Sequence, residues 1–173
     1  MNVLLSWIAM FAAGAGTQAL PASPHRAAFM AVSGDHEITL VATPGAIHFH
    51  ATNPDAPGVP GQSPVFVTWQ ASGTKNNVWS LSLQASSSTF ENCPGIPASA
   101  VTVSCMQTSV TGGSSACSPS FPLSTGPQVV AAGGQSETAA TYQVSLQFTL
   151  ADSWKYAAKP SCSLSVTYTA NLP

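Results

Sequence analysis

Between Val78 and Ser86 the side chains alternate strictly, with Trp79, Leu81, Leu83 and Ala85 in one set and Ser80, Ser82, Gln84 and Ser86 in the other. Successive Cβ atoms of an extended chain point to opposite sides, so such a run is a strand with one face buried and one face wet. The rhythm returns twice near the end. Tyr142, Val144, Leu146, Phe148 and Leu150 alternate with Gln143, Ser145, Gln147 and Thr149, and Cys162, Leu164, Val166 and Tyr168 alternate with Ser163, Ser165, Thr167 and Thr169. A slip of one residue would turn either apolar stripe to water, so the register of these strands is strongly specified.

Shorter pieces of the same kind are Ile38–Val41, Ile47–His50, Val65–Trp69 and Val101–Cys105. Turn chemistry separates them. Thr43-Pro44-Gly45-Ala46 reads as a turn with Pro at the first central position and Gly at the second. Asn53–Gly61 is too rich in Pro and Gly for a ladder and is expected to be an exposed loop. Cys93-Pro94-Gly95-Ile96-Pro97 should interrupt pairing and carry the chain from one sheet to another, and Gly112–Gly134 has the weakest pattern of all. No segment beyond residue 22 has a convincing 3.6-residue apolar period. Seven to nine short strands without helices predict an antiparallel β-sandwich of immunoglobulin-like type, with a β-barrel as the alternative.

Leu4–Gly16 is an apolar run of signal-peptide length, followed by small residues around Ala19 and Ala22. It is short for a bilayer span, and no later stretch reaches 18 apolar residues. The expected organisation is therefore a signal peptide over residues 1–22 and a single β-sandwich domain over residues 23–173, with no integral membrane segment in the mature form. A domain of about 150 residues buries roughly two thirds of the surface that its unfolded chain exposes, which suffices for one core.

Export bears on the cysteines. Cys93, Cys105, Cys117 and Cys162 contain no C-x-x-C pair, and an even number in an exported chain reads as two disulfides. Cys105 and Cys117 flank a hairpin-like turn at Thr111-Gly112-Gly113-Ser114, so they could face each other across neighbouring strands. Cys93 and Cys105 stand at the two ends of an extended unit, too far apart for a bridge. Of the three connectivities, Cys105–Cys117 with Cys93–Cys162 is favoured.

Charged residues make up 6% of the chain, against about 25% in an ordinary soluble domain. With a formal net charge of -2 and no basic run, the chain has almost nothing with which to neutralise phosphates, which argues against nucleic acid. A neutral partner, a glycan or another protein surface, suits this composition better.

Asp152, Trp154, Lys155 and Tyr156 form the most distinctive polar-aromatic cluster. Indole and phenol faces can stack on sugar rings with Asp152 and Lys155 as hydrogen-bonding neighbours; the competing reading is a plug at a strand end. His48 and His50 would project from the same face of one strand, where His36 or Asp35 could complete a metal site, but polar-face histidines need no ligand and no metal is expected. Trp69 and Trp79 alternate with core residues and are read as core. Neither a G-x-S-x-G nor an H-E-x-x-H motif occurs, and carboxylates are scattered, so neither catalysis nor a cofactor is expected.

Trp79-Ser80-Leu81 in mid-chain, followed by Phe90 and Ile96-Pro97, together with Phe148-Thr149-Leu150 after Tyr142, resembles the WxL surface-domain family, with Phe148 standing where the family's second Trp would be. The resemblance implies a cell-surface domain that associates with bacterial cell walls through glycan contacts. The resulting expectation is a secreted, extracellular or cell-envelope module with a structural, adhesive or carbohydrate-binding role, whose partners are cell-wall glycan or surface proteins. A subunit of a fimbrial or coat assembly is the alternative, and an unrecognised hydrolase the third.

Overall fold

The computed structural model describes residues 7–13, 28–33, 36–49, 58–72, 77–151 and 162–171. They form two stacked sheets that do not close into a barrel. The first contains, in spatial order, β11 (Gly113–Cys117), β13 (Gln128–Gln135), β7 (Asn77–Ala85), β15 (Cys162–Asn171), β1 (Trp7–Ala13) and β4 (Ala46–Phe49). The second contains β12 (Phe121–Pro122), β10 (Val101–Val110), β14 (Ala139–Leu150), β6 (Val65–Ser72), β3 (His36–Thr43) and β2 (Ala28–Ser33), with β5 (Val59–Pro60) attached to the end of β14. A small pair, β8 (Thr89–Phe90) and β9 (Cys93–Pro97), precedes a 3-10 turn at Ala98–Ala100. Among the described strands every ladder is antiparallel except β1 with β4.

The antiparallel sandwich is thus the architecture that the alternation dictates. Its long strands are β1, β2, β3, β6, β7, β10, β13, β14 and β15; the others have five residues or fewer. Several local expectations need correction. Cys93–Pro97 does carry the chain from the first sheet to the second, but it pairs with β8 on the way. Val59 and Pro60, expected in an unpaired loop, stand opposite Leu150 and Thr149. A two-residue bridge at a strand end asks little of a proline, which lacks only a donor. The peptide between Thr43 and Pro44 is cis, so this turn departs from the trans Pro-Gly type, and it passes the chain from the second sheet to the first.

Gly112–Gly134 holds three strands that alternation could not reveal. Gly112 has φ +66°, the left-handed backbone that glycine adopts without strain, and it turns the chain from β10 into β11. Gly133 stands opposite Trp79 in register, and a Cβ there would lie 1.9 Å from the Ser114 carbonyl oxygen and 2.8 Å from Trp79 Nε1. Glycine at this position lets β11 and the indole edge approach one another. Packing between strands, not side-chain rhythm, decides this region.

The inner faces meet around three aromatic rings. Trp69 of β6 stacks on Tyr142 of β14 with centroids 4.8 Å apart and planes 2° apart, and Trp79 of β7 meets both edge-on at 5.6 and 5.3 Å. The cluster therefore bridges the two sheets. Such pairs add about 0.5–1.5 kcal/mol each beyond their buried area. The Tyr142 hydroxyl hydrogen-bonds Gln135 Oε1, and Gln135 Nε2 donates to the Glu137 carbonyl at 2.6 Å, so a buried amide ties the cluster to the β13–β14 turn.

Burial raises the phenol pKa of both Tyr142 and Tyr168 above the ordinary value of 10.0, because the phenolate would lose its hydration. The folded state then binds protons that the unfolded chain releases. This contribution to stability is complete below about pH 10 and is lost as pH rises past it, by up to about 1.4 kcal/mol per pH unit for each tyrosine. An alkaline absorbance titration should show Tyr142 and Tyr168 ionising only together with unfolding. Their smooth titration near pH 10 in a still-folded protein would contradict this burial.

Candidate functional site

Alternation decides which side chains the sheets offer to a partner. In β6, Val65, Val67 and Trp69 are buried, so Phe66, Thr68 and Gln70 form the outer set. On β14 the residues opposite them are Ser145, Gln143 and Thr141, and on β10 Gln107 and Ser109 continue the rows beyond Ser145 and Gln143. Thr43 of β3 extends the Phe66 row on the other side. Among the described side chains, the outer face of the second sheet is therefore mainly hydroxyls and amides, with Val41 beside Thr68 and the phenyl ring of Phe66 42% exposed.

A β-bulge lies beside that ring's row. Register shifts between Cys105 and Gln107, leaving Met106 as the extra residue, 64% exposed. Bulges bend a strand and re-aim side chains, and they recur next to binding sites. Ser145 sits on β14 between Phe66 and Gln107 in register and is itself buried. The row thus combines an aromatic surface with an amide and a sheltered hydroxyl, next to the exposed thioether of the bulge, the mixture of apolar platform and few polar groups that neutral ligands use. Among the described side chains Glu91 and Glu137 are the only charged carboxylates or cations, and they lie in the β8–β9 and β13–β14 connections.

The sequence-predicted cluster Asp152, Trp154, Lys155 and Tyr156 lies outside the described residues. His48 is half-buried between the buried Ile47 and Phe49, which places it on the outer side of β4. His50 and Asp35 lie outside the described residues, and His36 is described only as backbone in β3. Among the described residues no group of three His, Cys, Asp or Glu could hold a metal ion.

Trp79, Leu81, Phe148 and Leu150, which carry the WxL resemblance, are core residues at 2%, 0%, 0% and 5% exposure. Any glycan contact on the described surface must therefore use other side chains. Phe66 was missed at the sequence level although its signal was present, since an aromatic flanked by Val65 and Val67 in an alternating strand has to face outward. The Met106 bulge left no such trace.

Both disulfides form with the favoured pairing. Cys93 of β9 joins Cys162 of β15 with Cα atoms 5.5 Å apart, and Cys105 of β10 joins Cys117 of β11 at 5.4 Å. β10 and β11 leave the turn into different sheets, so Cys105–Cys117 staples the two layers and does not link hydrogen-bonded neighbours. Ser115 Oγ donates to the Thr108 carbonyl at 3.1 Å and adds a polar link across the same gap. Disulfides belong to oxidising compartments, and two of them are compatible with an extracellular protein. No helix among the described residues is long and apolar enough to cross a membrane. Comparison with protein-family models, with curated proteins and with solved structures found no match.

Proposed function

We propose that the chain is an exported, non-catalytic β-sandwich of the cell surface or envelope, with a structural, adhesive or carbohydrate-binding role. One observation carries this reading: an exposed phenyl ring, Phe66, beside Thr, Ser and Gln side chains of β3, β6, β14 and β10 on the outer face of the second sheet, with no charged side chain among these described neighbours. An aromatic face with neighbouring hydroxyls and amides matches the alternating apolar and polar faces of a neutral sugar polymer. The leader-like run, the disulfides and the scarcity of charge support export. Cell-wall glycan of a bacterium is the partner that the WxL resemblance suggests, with Asp152, Trp154, Lys155 and Tyr156 as further candidates for contact.

Retention on insoluble cell-wall polysaccharide tests the proposal. Phe66→Ala is expected to weaken retention by about tenfold, equivalent to ~1.4 kcal/mol at a contact aromatic. Unfolding should shift by no more than about 0.5 kcal/mol, since a partly exposed surface side chain contributes little to the core. Unchanged retention in Phe66→Ala would remove this face from the site.

The second reading, a subunit of a fimbrial or coat assembly, is favoured by a different observation. A strand drawn from the leader-like segment, β1, stands inside the first sheet between β15 and β4. Strand addition is a general way for such modules to join.

A further inference from the structure

We propose that the position between β15 and β4 is a strand-acceptor slot, emptied when the leader is removed and refilled by the Ala28–Ser33 segment of a second copy of this chain. The inference rests on the export reading and on its assembly variant.

β1 pairs with β15 over seven positions, from Trp7 opposite Tyr168 to Ala13 opposite Cys162, and in parallel with β4 from Met10 opposite Ala46 to Ala13 opposite Phe49. The same seven residues are the centre of the apolar run expected to be cleaved after residue 22. Cleavage there removes an interior strand, not an edge. Residues 162–168 of β15 would lose their ladder on one side, and β4 would lose its only ladder partner among the described strands. Leu164, Val166 and Tyr168, each 0% exposed with β1 in place, line the uncovered position. Unpaired backbone groups on two facing strands, above an apolar floor, form a template for an added strand.

The chain itself supplies a fitting occupant. Ala28-Phe29-Met30-Ala31-Val32 has nearly the composition of Ala9-Met10-Phe11-Ala12-Ala13: Ala, Phe and Met in both, and no charge in either. It would stand six residues into the mature chain. In its own molecule it forms β2 at the outer edge of the second sheet, paired among the described strands with β3 alone. Its departure therefore sacrifices one edge ladder, whereas its arrival restores two.

The test exports the full chain from a host cell and determines the N-terminus and the assembly mass of the purified product. The expected product begins after residue 13 and sediments as multiples of the mature chain's mass. Phe29→Asp with Met30→Asp should shift it to a single chain. For the case in which that variant fails to fold, a synthetic peptide of residues 23–33 added in excess to the unaltered chain during refolding should shift it to a single chain carrying one peptide. A cleaved, stably monomeric product overturns the slot proposal and leaves export standing. Assemblies indifferent to both the substitutions and the peptide overturn it as well, because another strand then fills the slot or none does. A product that retains Trp7–Ala13 overturns the slot proposal together with the cleaved-leader reading, with β1 then a permanent strand of the fold.

Discussion

Replacing Trp79 with alanine is expected to cost about 3–5 kcal/mol of stability, the range for truncating a large buried aromatic. Trp79 is 2% exposed, meets Trp69 and Tyr142 edge-on, and lies against the glycine at 133 that makes room for its indole. Because the three rings come from both sheets, the cavity left behind would loosen the layer contact and not a single strand. Trp79→Phe is expected to cost clearly less. It keeps a ring in the cluster and removes a buried indole N–H that has no hydrogen-bond partner among the described residues, an arrangement that itself costs about 1–3 kcal/mol. Urea unfolding checks both: the midpoint should fall steeply for alanine and modestly for phenylalanine, at a similar slope. Equal losses for the two variants would mean that ring packing is not what Trp79 supplies.

Loss of the Cys93–Cys162 bridge, through alanine at both positions, is the second large effect. It closes a separation of 69 residues, for which the loop-entropy relation gives roughly 4 kcal/mol, against roughly 3 kcal/mol for the 12-residue separation of Cys105–Cys117. Local structure strengthens the contrast. The Glu91 amide donates to the Ser163 carbonyl at 2.7 Å, and Ser163 Oγ donates to Glu91 Oε2 at 3.2 Å, so the bridge anchors a crossover already seated on β15. Cys93 and Cys162 are also buried, while Cys117 is exposed. Thermal and denaturant midpoints of the two double variants should therefore fall in the order Cys93/Cys162 below Cys105/Cys117. The reverse order would contradict the assigned roles of the two bridges.

The legible part of the fold is the part where one face is buried and the other wet. β7, β14 and β15 announce themselves because Leu81, Val144 or Leu164 must turn inward while Ser80, Gln143 or Ser163 must not. β13 could not be read in this way. Gln128–Gln135 holds Val129, Val130, Ala131 and Ala132 in succession, and a bulge between Val129 and Ala131 breaks the two-residue rhythm. β11, a run of Gly, Ser and Ala, has no stripe and is positioned by its neighbour and by Cys117. The pairing of the cysteines followed from reach along the chain. That Cys105 and Cys117 belong to different sheets did not, since a turn signal at Thr111–Gly112 cannot distinguish a hairpin from a crossing between layers. For the candidate site, the outward position of Phe66 was implicit in Val65, Val67 and Trp69, but its neighbours Ser145 and Gln107 are brought to it by strand order, which no local pattern encodes.

Peptide mapping of the native protein, isolated from its cells without reduction and with free thiols blocked at once, tests most directly that this is a disulfide-stapled sandwich, and with it the proposal that the chain works in an oxidising compartment. The expected result is two linked pairs, Cys93 with Cys162 and Cys105 with Cys117, and no blocked thiol. Four blocked thiols, or Cys93 linked to Cys105 or to Cys117, would contradict it.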